Sequence, residues 1–193
     1  MKLEITHQEK YSRGELLLRT FFAWIYICIP HFFLLFFVSI WSFILKVIAF
    51  FAVLFTGRYP KNIFDFHAGM IRWNLRLTAR LYNLSDGYPS FGIKGKDELV
   101  TFEVENPEKL SRLILILRLL FGWIYVVIPH YFILFFRSIA TGILMFLAWW
   151  VVLFTAKYPA SFHTFNTGTI RWSVRVGLYL GFMTDEYPPF SGK

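Results

Sequence analysis

Cysteine is almost missing from this chain: Cys28 stands alone among 193 residues, so no internal disulfide can form and the disulfide-stapled class is excluded. Lying inside an apolar run, that thiol is expected to be a packing residue rather than a redox group. Charge is scarce too, at 17% of residues, while 56% are hydrophobic and 21% aromatic. Such a balance excludes disorder and exceeds what a soluble domain of this size carries. None of the 12 acidic residues falls within Leu16–Phe55 or Leu113–Phe154, which argues against a cation-coupled transporter built on intramembrane carboxylates. No Walker sequence, zinc-ligand cluster or Gly-x-Ser-x-Gly elbow occurs, so no enzymatic activity and no cofactor are expected.

What the chain does have is two long apolar stretches. Arg19 and Lys46 are the sole fixed charges of Leu16–Phe55, and Arg118 and Arg137 those of Leu113–Phe154. One helix through 40 residues would measure about 60 Å, twice a hydrocarbon core of about 30 Å, so each stretch is expected to fold as a pair of spans. The polar residues Ser39 and Ser42, with Arg137, Ser138, Thr141 and Gly142 at the matching place, locate the turns. Transmembrane helices are therefore expected at about 14–38, 41–56, 113–137 and 140–155. Met1–Tyr11 mixes charges with no small-residue cleavage site, so a removable signal peptide is not expected.

Compared with itself at an offset of 99 residues, the chain aligns without a gap. Trp24, Tyr26, Pro30 and His31 fall on Trp123, Tyr125, Pro129 and His130, and Gly69, Arg72, Trp73 and Arg76 fall on Gly168, Arg171, Trp172 and Arg175. Asp86, Tyr88, Pro89 and Phe91 likewise fall on Asp185, Tyr187, Pro188 and Phe190. This is a tandem duplication, with units at 1–95 and 96–193. Two spans per copy give both copies one orientation, related by a pseudo-twofold axis along the membrane normal. The strings Ile29-Pro30-His31, Phe55-Thr56-Gly57-Arg58-Tyr59-Pro60, Gly69-x-x-Arg72-Trp73-x-x-Arg76 and Thr184-Asp185-x-Tyr187-Pro188-Pro189-Phe190 resemble the bacterial integral-membrane family known as domain of unknown function 4389, in two copies. Ala156-Lys157 replaces Gly57-Arg58 in the second. The resemblance implies a bacterial multi-pass membrane protein and carries no activity.

After Tyr59-Pro60 the period changes. Asp65, Gly69, Arg72, Arg76, Arg80 and Asn83 share one helical face, while Ile63, Phe66, Met70, Trp73, Leu77 and Leu81 share another. Amphipathic helices are expected at about 62–84 and 161–183, lying in the membrane interface. Arg72, Trp73, Arg76, Arg171, Trp172 and Arg175 are then the expected contacts to lipid or a partner. Pro30 and Pro129 should kink the first span of each unit. His31 and His130 beside them are expected to hold those kinks by hydrogen bonding; a symmetric imidazole pair binding haem or a metal is the competing chemistry. Ser90–Ile93, a turn at Lys94–Asp97 and Leu99–Val104 suggest a short hairpin, with Lys2–Thr6 alternating like the latter strand.

The net charge is +8, and 16 of the 20 basic residues fall on the side that holds the tails, the amphipathic helices and the central segment. By the positive-inside rule that side is cytoplasmic, so the basic excess is expected to meet anionic lipid and not nucleic acid. The fold expected is an all-α, four-span membrane protein of two tandem hairpins, each followed by an amphipathic helix, with a small cytoplasmic β element. Its location is expected to be the bacterial inner membrane. The function expected is a noncatalytic scaffold or accessory subunit of a larger membrane complex. A lipid-handling or conducting protein is the alternative, and a bis-histidine haem or metal protein the third.

Overall fold

The computed structural model describes all 193 residues as four helices and one two-stranded sheet. β1 (Lys2–Ile5) leads into α1 (Arg13–Thr56) and α2 (Lys61–Leu81). The second unit repeats the order as β2 (Val100–Glu103), α3 (Arg112–Thr155) and α4 (Ala160–Leu180). Each helix boundary recurs 99 residues later, as the sequence repeat requires.

The local chemistry explains the boundaries. Ser12 and Ser111 cap α1 and α3, their hydroxyls accepting from the Glu15 and Ile114 amides. Gly57 ends α1 in the left-handed region at φ 69°, and Ala156 ends α3 at φ 59° without glycine's freedom. The amphipathic helices stop three residues earlier than expected, because Asn83 and Phe182 turn left-handed and the Leu84 and Met183 amides bond the carbonyls of Ala79 and Leu178.

The expected hairpin turns do not exist, and with them the four spans fall. Each apolar stretch is one helix of 44 residues, about 66 Å long at the α-helical rise. No proline or glycine interrupts residues 31–56, and small polar side chains need not leave a helix to be satisfied: the Ser39 hydroxyl donates back to the Phe36 carbonyl at 2.8 Å. Arg137, expected at a membrane surface, instead donates from Nε to Thr169 Oγ1 at 2.8 Å and lies over the Phe165 ring at 4.1 Å. Helical register is disturbed elsewhere, at Trp24–Cys28 and Trp123–Val127, where single π turns let the Ile29 and Ile128 amides reach five residues back to Trp24 and Trp123. Pro30 and Pro129 follow at once, so the wide turn absorbs the ring that a regular helix would reject.

Three layers result. α2 runs antiparallel along α1, with His67 at the Ser42 carbonyl and Trp73 at His31; α4 lies along α3 in the same way. The two long helices run antiparallel and meet at both ends, the start of each against the end of the other. Arg13 donates to the Phe154 carbonyl and Arg112 to the Phe55 carbonyl, both at 2.8 Å, and Trp149 Nε1 donates to the Thr20 hydroxyl. Above α2 and α4, β1 and β2 pair antiparallel with Lys2 opposite Glu103 and Ile5 opposite Val100. The sheet thus joins the two units, and Ser90–Ile93, expected as a strand, forms none. Leu3, Ile5, Val100 and Phe102 point into a core shared with Leu75, Ala79, Ile170 and Leu178, while Lys2, Glu4, Thr101 and Glu103 are exposed.

The outer flanks of α1 and α3 are bare and apolar from end to end. Phe21, Phe33, Phe43 and Phe55 on α1 and Phe121, Phe132, Phe146 and Phe154 on α3 are all at least half exposed. Of the most apolar 18 residues of α1 only 11% are buried, and of α3 28%, which is the reverse of a soluble protein's core helix. By length and composition both helices could cross a membrane.

Candidate functional site

Each unit closes on a strap that runs back over its own π turn and in-helix proline. Proline has no N–H, so the carbonyl four residues earlier loses its helical donor. In the first unit that carbonyl belongs to Tyr26, and the Tyr88 hydroxyl donates to it at 3.0 Å; in the second, Tyr187 donates to the Tyr125 carbonyl at 2.8 Å. Asp86 anchors the start of the strap, accepting from the Ser12 amide at 2.6 Å and pairing with Arg19 at 2.8 Å. Asp185 does the same with Ser111 at 2.5 Å and Arg118 at 2.9 Å.

Beneath the strap lies the histidine. His31 is fully buried, its Nδ1 accepts from the Trp73 indole at 2.8 Å, and its ring stacks on Phe91 at 3.9 Å and 6°. His130 repeats this with Trp172 at 2.9 Å and Phe190 at 4.0 Å and 2°. With Nδ1 the acceptor, the neutral ring carries its proton on Nε2, which is buried without a partner in both units. The imidazoles therefore belong to two separate boxes, each enclosed by aromatics of its own unit, and are not a pair facing each other across the axis. No group of three His, Cys, Asp or Glu side chains is placed to hold a metal.

The arginines expected at lipid or a partner are turned inward. Arg76, 2% exposed, donates to the carbonyls of Ser90, Gly92 and Gly95 at 3.2, 2.5 and 2.7 Å, gathering the strap onto α2. Burial lowers its pKa from the ordinary arginine value, but a guanidinium stays charged at neutral pH. Its counterpart Arg175 holds the carbonyls of Ser191 and Lys193. Arg72 donates to the Phe102 carbonyl at 2.9 Å and Arg171 to the Leu3 carbonyl at 3.1 Å, so each reaches the strand of the other unit. Trp73 and Trp172 are buried against the histidines and meet no surface. The physical reason is acceptor density: irregular straps leave carbonyls unpaired, and a fork of five donors satisfies several at once. Gly69 and Gly168 complete the device, since a Cβ there would lie 2.8 Å from the Ile93 and Gly192 carbonyl oxygens.

A second feature lies on the pseudo-twofold axis. Between the middles of α1 and α3, and walled by α2 and α4, is a cavity of about 660 Å³. Its lining comes from matched positions of both units, Ser42 with Thr141, Lys46 with Met145, and Asn74 with Ser173. At its rim His67 accepts from the Tyr59 hydroxyl at 2.8 Å and donates to the Ser42 carbonyl. Burial holds the His67 imidazole below its ordinary pKa, opposed by the Ser42 hydrogen bond and assisted by the Lys46 charge.

The sequence did not lead to the strap. Tyr88 and Tyr187 look like interfacial residues until the carbonyls freed by Pro30 and Pro129 are counted, and that count was the available signal.

Two equivalent units, each a long apolar helix with a strapped π turn roofed by an amphipathic helix, define a tandemly duplicated helical protein held together by a shared sheet. The chain belongs to the family described as Domain of unknown function (DUF4389), whose profile matches residues 14–92 and 111–192, once in each unit. No curated protein and no solved structure matches it.

Proposed function

We propose that this chain is a noncatalytic scaffold or accessory subunit embedded in the bacterial inner membrane, with its sheet, straps and both termini on the cytoplasmic side. The observation that carries the membrane placement is the unbroken belt of exposed Phe, Leu, Ile and Trp on α1 and α3, far larger than an isolated surface patch. The noncatalytic reading is supported by how the polar groups are used: Arg19, Arg72, Arg76, Arg118, Arg171 and Arg175 are all engaged by acceptors of the chain itself.

Within this reading α1 and α3 lie along the cytoplasmic leaflet instead of crossing the bilayer. Both ends of α1 are tied to the one sheet. Seven residues lie between Ile5 and Arg13, so the eight steps of chain span at most about 28 Å, and Asn106, three residues beyond β2, donates to the Tyr59 carbonyl just past the other end. A helix of about 66 Å set across a membrane would carry that sheet, with Lys2, Glu4 and Glu103 exposed, into the hydrocarbon. Laid flat, it keeps the sheet in water and the aromatic flanks in lipid.

Photo-crosslinking residues placed at Phe36 and Phe51 in living cells test the scaffold role. A discrete protein adduct of constant mass is expected; adducts with lipid alone would leave the membrane placement standing and overturn the scaffold role.

A further inference from the structure

Every basic residue of the two long helices except one has a partner within the chain. Arg13 and Arg112 bond carbonyls of the opposite helix, Arg19 and Arg118 pair with Asp86 and Asp185, and Arg137 bonds Thr169. Lys46 makes no hydrogen bond and no ion pair, and it lines the axial cavity. It has no symmetric counterpart, because Met145 occupies the matching position. The Ser42 and Ser138 hydroxyls, on either side of the same cavity, also lack a partner in the chain. A cation and two free hydroxyls are thus left open in a cavity flanked by the barest apolar surface of the molecule.

We propose that the axial cavity binds one anionic amphiphile, a carboxylate or phosphate carried on an acyl chain, with the Lys46 ammonium as its counter-ion. This rests on the membrane placement proposed above. The cavity volume lies within the range of about 300–1,000 Å³ typical of small-molecule sites, and the mixed lining suits a molecule with a polar head and an apolar tail. Lys46 is an exposed residue that opens onto the cavity with no acceptor of the chain on its ammonium, so an anionic head group there finds a free counter-ion and a charge-assisted hydrogen bond. The absence of a second lysine fixes the stoichiometry at one head per chain.

Native mass spectrometry of the detergent-purified full chain tests the site, using dioleoyl phosphatidylglycerol and oleate as anionic probes and dioleoyl phosphatidylcholine as the zwitterionic one. One phosphatidylglycerol or one oleate per chain is expected, with phosphatidylcholine retained far less. Lys46→Met should weaken retention about tenfold, and Lys46→Arg should preserve it, since one charge-assisted contact is lost only in the first. Gly142→Leu provides an independent variant: a Cβ at Gly142 meets nothing within 4 Å, so leucine fills the cavity without a clash while Lys46 stays. It too should abolish the one-to-one complex. Inorganic phosphate at the same concentration should fail to displace the lipid; displacement would mean that the site takes a free anion, and it would overturn the amphiphile. Equal retention by wild type and Lys46→Met would overturn the proposal while the protein still sediments with alkali-washed membranes. A protein released by alkali would instead remove the membrane placement itself.

Discussion

The Tyr88 hydroxyl donates to the carbonyl of Tyr26, four residues before Pro30, and 99 residues later Tyr187 makes the same bond to Tyr125. A proline placed inside an apolar helix frees a carbonyl that lipid cannot satisfy, so it needs a donor from elsewhere in the chain. Each unit brings one on a strap anchored by an aspartate and gathered by an arginine. Tyr88→Phe and Tyr187→Phe should each lower stability by about 1 kcal/mol, the worth of one such bond, and the double variant by about twice that. Thermal unfolding in detergent measures it. An unchanged midpoint in the double variant would show that the carbonyls find other donors.

Arg76 makes a sharper case. Replacing it with Gln removes a buried charge and leaves three strap carbonyls unpaired, so a loss of more than about 3 kcal/mol is expected, with residues 88–97 opened to protease. Arg175→Gln should cost less, because its guanidinium holds two carbonyls where that of Arg76 holds three. Limited proteolysis with mass mapping distinguishes them; equal protection of the first strap in wild type and Arg76→Gln would contradict its role. A loss of lipid binding in a variant of all four helix arginines would therefore report unfolding and not a lost headgroup contact.

How far the sequence carried depends on what each residue must answer to. The duplication and the amphipathic helices were legible because period and spacing encode them directly. The continuous 44-residue helices were not, since Ser39, Ser42 and Thr141 look like turn residues in a row of letters, yet the Ser39 hydroxyl is met by a carbonyl of its own helix, Thr141 donates across to Thr169 of α4, and Ser42 stays inside the helix with its hydroxyl open to the cavity. The inward arginines were hidden for a related reason. A basic helical face suits a phosphate surface and a layer of unpaired carbonyls equally well, and only the path of the strap decides between them.

Ala156 and Gly57 occupy the same left-handed position at the ends of α3 and α1. An alanine there bears roughly 1 kcal/mol of strain that glycine avoids, so Ala156→Gly should stabilise by a few tenths to 1 kcal/mol and Gly57→Ala should destabilise by at least as much. Chemical denaturation of the two variants checks the sign; destabilisation by Ala156→Gly would mean that the alanine methyl contributes packing that outweighs the strain.

The pH dependence follows from His163. Burial and the neighbouring His7 ring, at 5.0 Å, lower its pKa from 6.5 to about 4, against the hydrogen bond it donates to the Leu84 carbonyl. The folded imidazole is thus neutral where the unfolded one is already protonated. Stability held above about pH 6.5 should decline as pH falls toward 4, because the unfolded chain binds the additional proton. His163→Gln, which keeps a donor for Leu84, should flatten that decline. A slope identical to wild type would assign the acid sensitivity to other groups.

In the proposed placement α1 and α3 lie along one leaflet with both ends at the same surface. Spin labels at Phe21, Ile29, Phe36, Phe43 and Phe51, all exposed on α1, in a background with Cys28 replaced, can be ranked in depth by their collision with oxygen against a polar nickel complex. All five are expected to sit within one leaflet, with no label passing the bilayer midplane. Depth that increases to the centre and then decreases toward the opposite surface along those five positions would mean that α1 crosses the membrane, and would contradict that placement.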